Sequence, residues 1–465
     1  GGLNANGTLN SASNPPGATA NSYLVAPGWQ IIVPDFGPPG PVPGFQTCGL
    51  GANGDLCQIQ GTSYASPMVA AAVALVMDGF PGLTPAQVVD LLLTTTDDYG
   101  LGGTDSVYGR GRLNIGRAFL PVGSLSTPLA ALDVSPTTVI GALGPAFGDG
   151  FLHSDAWTMP GFDYYDRTFA LDLSGGWLSA HAGPGAVAQA PYLWRGEATR
   201  SGVRVQAASA ESVAPDSLRT PIERAELEQG AMRIEAEIAS GFTVSIAAYG
   251  ARAAYDDTGV SHLDAVQPDL SLRLTREIVE GVSVSLISES GRAASGVSFT
   301  PGVERQATAA RASFDFARAG FDFTMGEMQE ERGILGLIWS KEFGATPGGE
   351  ARFAGFGAHF DVLSILRLSG SAEFGVAEMA NSGWVNVVDP LRTSAFSLQA
   401  RAVPSDIAGA IMLSLMQPLR VEGGAFAFMA PTATKYGRQS LGYQQRVFSP
   451  TPSGRELRFG LGYSY

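Results

Sequence analysis

The stretch Ile59–Met77, IQGTSYASPMVAAAVALVM, sets Gly61, Thr62, Ser63 and Pro67 directly before ten small or apolar residues. Gly61 permits a sharp turn and close backbone approach. Met68–Met77 is apolar all round, which predicts a buried and therefore rigid helix. Pro67 fits the first turn of that helix, where its missing N–H costs nothing. A serine at such a helix mouth has two readings. It caps the helix, because its oxygen accepts one of the amides the first turn leaves unpaired. Or its exposed hydroxyl is a nucleophile on a rigid mount beside the positive helix end.

The flanks extend the pattern. SYLVAPG (Ser22–Gly28) and WQIIVPDFG (Trp29–Gly37) read as short buried strands broken by turns. Phe80-Pro81-Gly82 ends the first helix. TPAQVVDLLLTTT then opens a second one, with Thr84 as N-cap, Pro85 as first residue and Gln87 completing a capping box. YGRGRLNIGRAF (Tyr108–Phe119) predicts a glycine turn leading into a short helix. Residues 1–121 thus read as a mixed α and β unit, and 122–165 as a linker.

From Arg167 onward the period becomes two. Met232, Ile234 and Ile238 alternate with Arg233, Glu235 and Glu237; Leu270, Leu272 and Leu274 alternate with Ser271, Arg273 and Thr275. The same pattern closes the chain at Leu457, Phe459, Leu461, Tyr463 and Tyr465. Roughly ten to twelve such strands fill residues 166–465. One apolar and one polar face per strand suits a soluble sandwich, or an outer-membrane barrel that is apolar outside and polar within. Only 15% of the 465 residues are charged and 60 are glycine, which favours the membrane barrel.

Net charge is −14, and Lys341 and Lys435 are the only lysines, so a nucleic-acid partner is not expected. No apolar run approaches the ~20 residues of a spanning helix. The chain begins with Gly and shows no signal peptide, which predicts a processed chain or a fragment. Cys48 and Cys57 sit in CGLGANGDLC; a short-range disulfide is the leading reading, with free thiols as the alternative. A metal site is poorly supported there, since no histidine lies nearby.

GTSYASPMVAAAVAL resembles the active-site serine segment of the subtilisin-like serine proteases, the subtilases, whose pattern is Gly-Thr-Ser-x-Ala-x-Pro before a small-residue helix. SYLVAPGWQI, PGLTPAQVVDLLLTTTDDYG and YGRGRLNIGRA resemble the family's flanking elements in the same order. The resemblance implies that Ser63 is the nucleophile, with Gly61, Thr62 and Pro67 as its supporting motif. It covers only the C-terminal part of such a domain. The family's triad runs Asp, His, Ser, yet His153, His181, His262 and His359 all follow Ser63. Asp35 and Asp55 precede it in contexts unlike the family's Asp strand, and GGLNANG does not match the context of the oxyanion asparagine.

FDYYDRTFALDL, SLMQPLRVEGGAFAF (Ser414–Phe428) and SPTPSGRELRFGLGYSY (Ser449–Tyr465) resemble the C-terminal region of autotransporters of Gram-negative bacteria that carry a subtilase passenger. The joint expectation is part of an α/β subtilisin-like domain, followed by an all-β antiparallel transmembrane barrel that Tyr465 could leave incomplete. The implied function is serine endopeptidase action on protein or peptide substrates. The implied location is the outer membrane and cell surface, with outer-membrane lipid around the barrel and release of the protease part as a further outcome. The alternative is an outer-membrane anchor or adhesive surface protein with a degenerate protease remnant. No cofactor or metal is demanded, and the acidic stretch Thr94–Asp105 reads as a solvated loop rather than a calcium site.

Overall fold

The computed structural model describes residues 1–34, 56–130, 132–179, 192–200, 203–210, 231–248, 261–264, 269–293, 303–340, 347–381, 384–403 and 409–464. The chain divides into two compact units, neither of them continuous. Unit 1 comprises Gly1–Thr127, Met159–Leu171 and Pro431–Tyr443, and unit 2 the remainder.

In unit 1, β1 (Gly2–Leu3) and β2 (Ala26–Pro27) pair in parallel, and β3 (Ile31–Pro34) and β4 (Leu56–Ile59) pair antiparallel. Helix α1 (Thr62–Gly79) follows β4 directly. Helix α2 (Pro85–Thr94) starts where the capping box predicts. Thr84 Oγ1 accepts the Gln87 amide at 3.3 Å, and Gln87 Oε1 accepts the Thr84 amide at 2.9 Å. Helix α3 (Ile115–Ala118) is capped by Asn114, whose side chain accepts the Arg117 amide. One core joins these helices: Ala72 and Val76 of α1, Val88, Leu91 and Leu92 of α2, with Ala118 and Tyr165.

Helix α1 differs from expectation in two ways. It begins at Thr62, so Pro67 stands at its sixth position and not in the first turn. There the missing N–H removes the bond that would close on the Ser63 carbonyl four residues back. Its surface is also two-sided: Ala65, Ala72 and Val76 are buried, whereas Leu75 is 52% and Met77 44% exposed. The described residues cover one stripe of an all-apolar helix.

Within the stretch expected as a linker, short strands form: β5 (Thr127–Leu129), β6 (Leu132–Val134), β7 (Gly141–Leu143) and β8 (Thr158–Phe162). β8 pairs with β9 (Thr168–Asp172). In unit 2, β7 is flanked by β10 (Trp177–Ser179) and β19 (Ile338–Trp339).

The rest of unit 2 is one large antiparallel sheet. Its strands are β11 (Tyr192–Arg200), β12 (Val203–Ala210), β13 (Ala231–Ala239), β14 (Phe242–Ala248), β15 (Leu270–Val279), β16 (Val282–Ala293), β17 (Val303–Asp315) and β18 (Ala319–Glu330). They continue with β20 (Gly349–Leu363), β21 (Leu366–Met379), β22 (Val385–Ala402), β23 (Ala410–Thr432), β24 (Gly442–Phe448) and β25 (Arg458–Ser464). Each pairs with its neighbour in chain order, except that β25 returns to β23. The 14 strands among the described residues exceed the number expected from alternation. In β11 and β12, Gly196, Ala198 and Ala207 stand where other strands carry Leu, Ile or Phe, so the hydropathy signal there is shallow.

Two regularities mark this sheet. Connections at one end are short (201–202, 240–241, 280–281, 316–318 and 364–365) apart from 403–409; those at the other are longer, at 211–230, 249–269, 294–302, 331–348 and 433–441, apart from 380–384. Its faces are also inverted relative to a soluble protein. Leu286, Phe356, Phe374, Leu398, Phe459 and Leu461 are exposed, up to 80%. Ser271, Ser285, Glu289, Thr324, Glu330 and Glu373 point to the other face and are buried.

Candidate active site

Ser63 is the second residue of α1 and is exposed. Its position follows from the turn before it. Gly61 is the N-cap, with φ 138° and ψ 158°, a conformation a Cβ would strain. The Gly61 amide donates to the Gly28 carbonyl at 2.8 Å, and the Tyr64 amide donates to the Gly61 carbonyl at 3.1 Å. Gly28 is itself pressed against β1: a Cβ there would lie 2.9 Å from the Gly2 Cα. Gly28, directly after β2, is therefore a backbone bracket that holds the helix mouth. Thr62 is the first helical residue, and the amides of Thr62 and Ser63 precede the helical ladder, at the positive end of an 18-residue dipole. Such a mouth favours an anion on or beside the Ser63 hydroxyl.

The chemistry of a serine nucleophile also needs a base. Unit 1, which contains Ser63, holds no histidine. His153, His262 and His359 belong to unit 2, and His181, Asp35 and Asp55 lie outside the described residues. Cys57 falls in β4, opposite Val33, but a bond to Cys48 lies outside the described residues.

Two supporting networks were not legible as such in the sequence. The closing glycine turn is fastened by Asp97, which accepts Arg112 at 2.8 Å and Asn114 at 2.7 Å. These bonds, Arg112 first, hold the Asp97 carboxyl below its ordinary value. Asp105 is likewise lowered by the amides of Tyr108, Val107 and Leu101, so the acidic loop ties itself together. An Asn before an apolar residue is a helix-start signal, and Asn114 was findable on that basis.

The second network is Asp163–Arg167, with both side chains fully buried. Arg167 donates twice to Asp163 Oδ2 and once each to the carbonyls of Ala118 and Leu120, and its guanidinium lies 4.7 Å from the Phe80 ring centroid. Beside it, the Tyr165 hydroxyl donates to Asp90 at 2.7 Å, and burial pushes its pKa up to about 12.

Comparison with known proteins agrees with the motif reading. Residues 3–111 match the model of the Subtilase family. Serotype-specific antigen 1 of Mannheimia haemolytica is 43% identical over 63 residues, 14% of this chain and 7% of that protein. The Neisserial autotransporter lipoprotein NalP of Neisseria meningitidis serogroup B is 39% identical over 61 residues, 13% and 6% of the two chains. An extracellular serine protease of Serratia marcescens is 38% identical over 55 residues, 12% and 5%. The matched stretches thus span less than a tenth of these relatives. The N-terminal part of the chain is subtilase-like in sequence, and its relatives include an autotransporter and an extracellular serine protease.

Proposed function

We propose that this chain is part of a subtilisin-like serine endopeptidase carried to the cell surface by its own β-barrel in a Gram-negative outer membrane. Ser63 is the nucleophile: its Oγ attacks the scissile carbonyl of a protein or peptide substrate to form an acyl-enzyme. The general base and its orienting acid come from sequence outside this chain. Gly61 and Thr62 shape the helix mouth where the oxyanion develops, and Pro67 releases the Ser63 carbonyl from the helix.

The observation that carries the peptidase reading is the exposed Ser63 on a backbone-bracketed helix mouth, within the residues that match the Subtilase family. The barrel reading is supported by the inverted sheet. Placing Phe459 and Leu461 in water while burying Glu289 and Glu373 is costly for a soluble protein; lipid outside and a polar interior remove both costs. The alternation of short and long connections fits a barrel with tight turns on the periplasmic side.

Curvature has its own support. Helix α4 (Ser261–Asp264) donates the amides of Ser261 and His262, and the His262 ring Nδ1–H, to Glu373 of β21. Glu373 shares a hydrogen-bonded row with Thr275 of β15, five strands away. On a flat sheet that row and the rise to Leu270 put the two ends close to 30 Å apart, by strand spacings of ~4.8 Å and rises of ~3.4 Å. The chain from His262 to Leu270 reaches about 24 Å, and the hydrogen-bonded Glu373 side chain adds roughly 8 Å, so a flat sheet would need that chain almost fully stretched. A sheet curled so that β20–β22 turn toward β15 needs no such stretching.

The test is fluorophosphonate labelling of the intact protein, with Ser63→Ala as comparison. Labelling at Ser63 that the variant abolishes supports the peptidase. An intact protein that stays unlabelled favours the second reading, an outer-membrane anchor with a degenerate peptidase remnant, which the histidine-free unit 1 also suits.

A further inference from the structure

The outward face of β20–β25 ends differently at its two rims. The row nearest the short connections is Leu363, Leu366, Ala402, Ile411 and Tyr463, with no charge among them. Exposed apolar residues follow above it: Phe360, Leu368 and Leu461, then Leu398 and Phe459, then Phe356, then Phe374. On β21 the climb from Leu366 to Val376 is ~34 Å along the strand, or ~26 Å of height at a tilt of about 40°. That matches the apolar band of about 25 Å that a barrel presents to lipid.

At that height the paired row reads Glu327, Arg352, Val376, Arg392 and Gly423. The two arginines flank Val376, two strand spacings or ~10 Å apart. Arg352 Nε donates to Glu350 at 2.7 Å, and the side chain is 77% exposed. Arg392 is 57% exposed, lies 3.5 Å from Asp389 and spreads across Gly423, where a Cβ would come 2.7 Å from its Nη2. Next along β23, Glu422 accepts Ser394 Oγ at 2.6 Å, Arg455 at 2.9 Å and Arg420. Arg420 is fully engaged, since it also donates to the carbonyls of Pro452 and Gly454. Arg455 remains 55% exposed. The segment of those carbonyls, between β24 and β25, leaves a cavity of about 300 Å³ lined by Leu419, Pro452, Ser453 and Arg455 among others.

We propose that this rim binds the phosphorylated headgroup of an anionic lipid in the outer leaflet. The inference rests on the barrel reading, which places the long connections outside the cell. A phosphate seats between Arg352 and Arg392 over Val376, and the acyl chains run down past Phe374 and Phe356. Arg455 and the cavity beside it receive the remaining polar part of the headgroup. Guanidinium groups suit this task, because their planar fork pairs with two phosphate oxygens at once. Glu350, Asp389 and Glu422 each hold an arginine in place. Glu327, beyond Arg352, and Glu378, above Val376, stand outside the gap. Rim charges that served only solubility would suit either end of the band, whereas on β20–β25 the guanidinium row stands at one.

The test is native mass spectrometry of the full chain in mild detergent, offered dioleoyl phosphatidic acid and dioleoyl phosphatidylcholine in equal amounts. The wild type is expected to retain phosphatidic acid with at least about tenfold preference. Arg352→Gln/Arg392→Gln/Arg455→Gln replaces three exposed side chains and should abolish the preference. Arg367→Gln, an exposed arginine beside the short connection 364–365, should leave it unchanged. An excess of inorganic phosphate should not displace the lipid, because the apolar band supplies part of the hold; displacement would mark a free-phosphate site and overturn the lipid assignment. Equal retention of both lipids, or a preference that survives the triple variant, overturns the proposal and leaves the barrel reading standing. Heat-modifiable gel migration of the same sample tests the barrel itself: a folded chain without it removes that reading, and the proposal with it.

Discussion

Replacing Phe356 by Arg separates a lipid-facing sheet from a water-facing one. Phe356 is the central residue of β20, 53% exposed, and lies opposite Phe323 of β18 and Ala372 of β21. If this face meets lipid, a guanidinium near the bilayer midplane costs about 2–4 kcal/mol. Loss of the ring adds ~1 kcal/mol, about half of what full burial of a Phe supplies. The sum shifts the folding equilibrium by more than a hundredfold, at roughly 1.4 kcal/mol per factor of ten. If the face meets water, the same change stays within about 0.5 kcal/mol. Phe360, on the same face but nearer the short turn at 364–365, is the internal control. Arg there should cost only about 0–1 kcal/mol, because charge penalties fall toward the interface. The assay is reversible folding into lipid vesicles, titrated with denaturant and read by heat-modifiable gel migration. A Phe356→Arg variant as stable as wild type, or equal costs at both positions, refutes the lipid-facing assignment.

Arg167→Ala should destabilise unit 1 by about 3–5 kcal/mol, because it leaves Asp163 charged, buried and short of its partner. Calorimetry should then show that unit melting roughly 6–20 °C lower, and a loss below about 1 kcal/mol would count against the network. Asp97 and Asp105 have folded-state pKa values below the ordinary 3.8, so their stabilisation is present above that value and is lost as pH falls through the folded values. Unit 1 should therefore lose stability below about pH 4, and Asp97→Asn should flatten that acid slope in pH-dependent unfolding.

Much of the local structure was written in short signals. Thr84, Pro85 and Gln87 fix the start of α2 because the capping groups lie within one helical turn of each other. Period-two alternation marks strands such as β13 and β15, since successive side chains must take opposite faces. Gly61-Thr62-Ser63 marked a helix mouth from local signals alone, and its resemblance to the subtilase serine motif made Ser63 the candidate nucleophile.

The sequence by itself therefore determined the elements, the two textures of the chain and the serine-bearing helix mouth. Only the tertiary structure decided which surfaces are buried and which are exposed. Alternation is the same for a sandwich and a barrel; the exposure of Phe374 beside the buried Glu373, which supports the barrel proposal, came only with the tertiary structure. Pro67 read as a first-turn residue until the helix began five residues earlier, at Thr62, a boundary set by the Gly28–Gly61 bracket across 33 residues. The Arg167–Asp163 network and the 431–443 insertion were equally out of reach. Their partners at Ala118, Leu120 and Gly82 are tens to hundreds of residues away, and no local propensity encodes a contact of that separation.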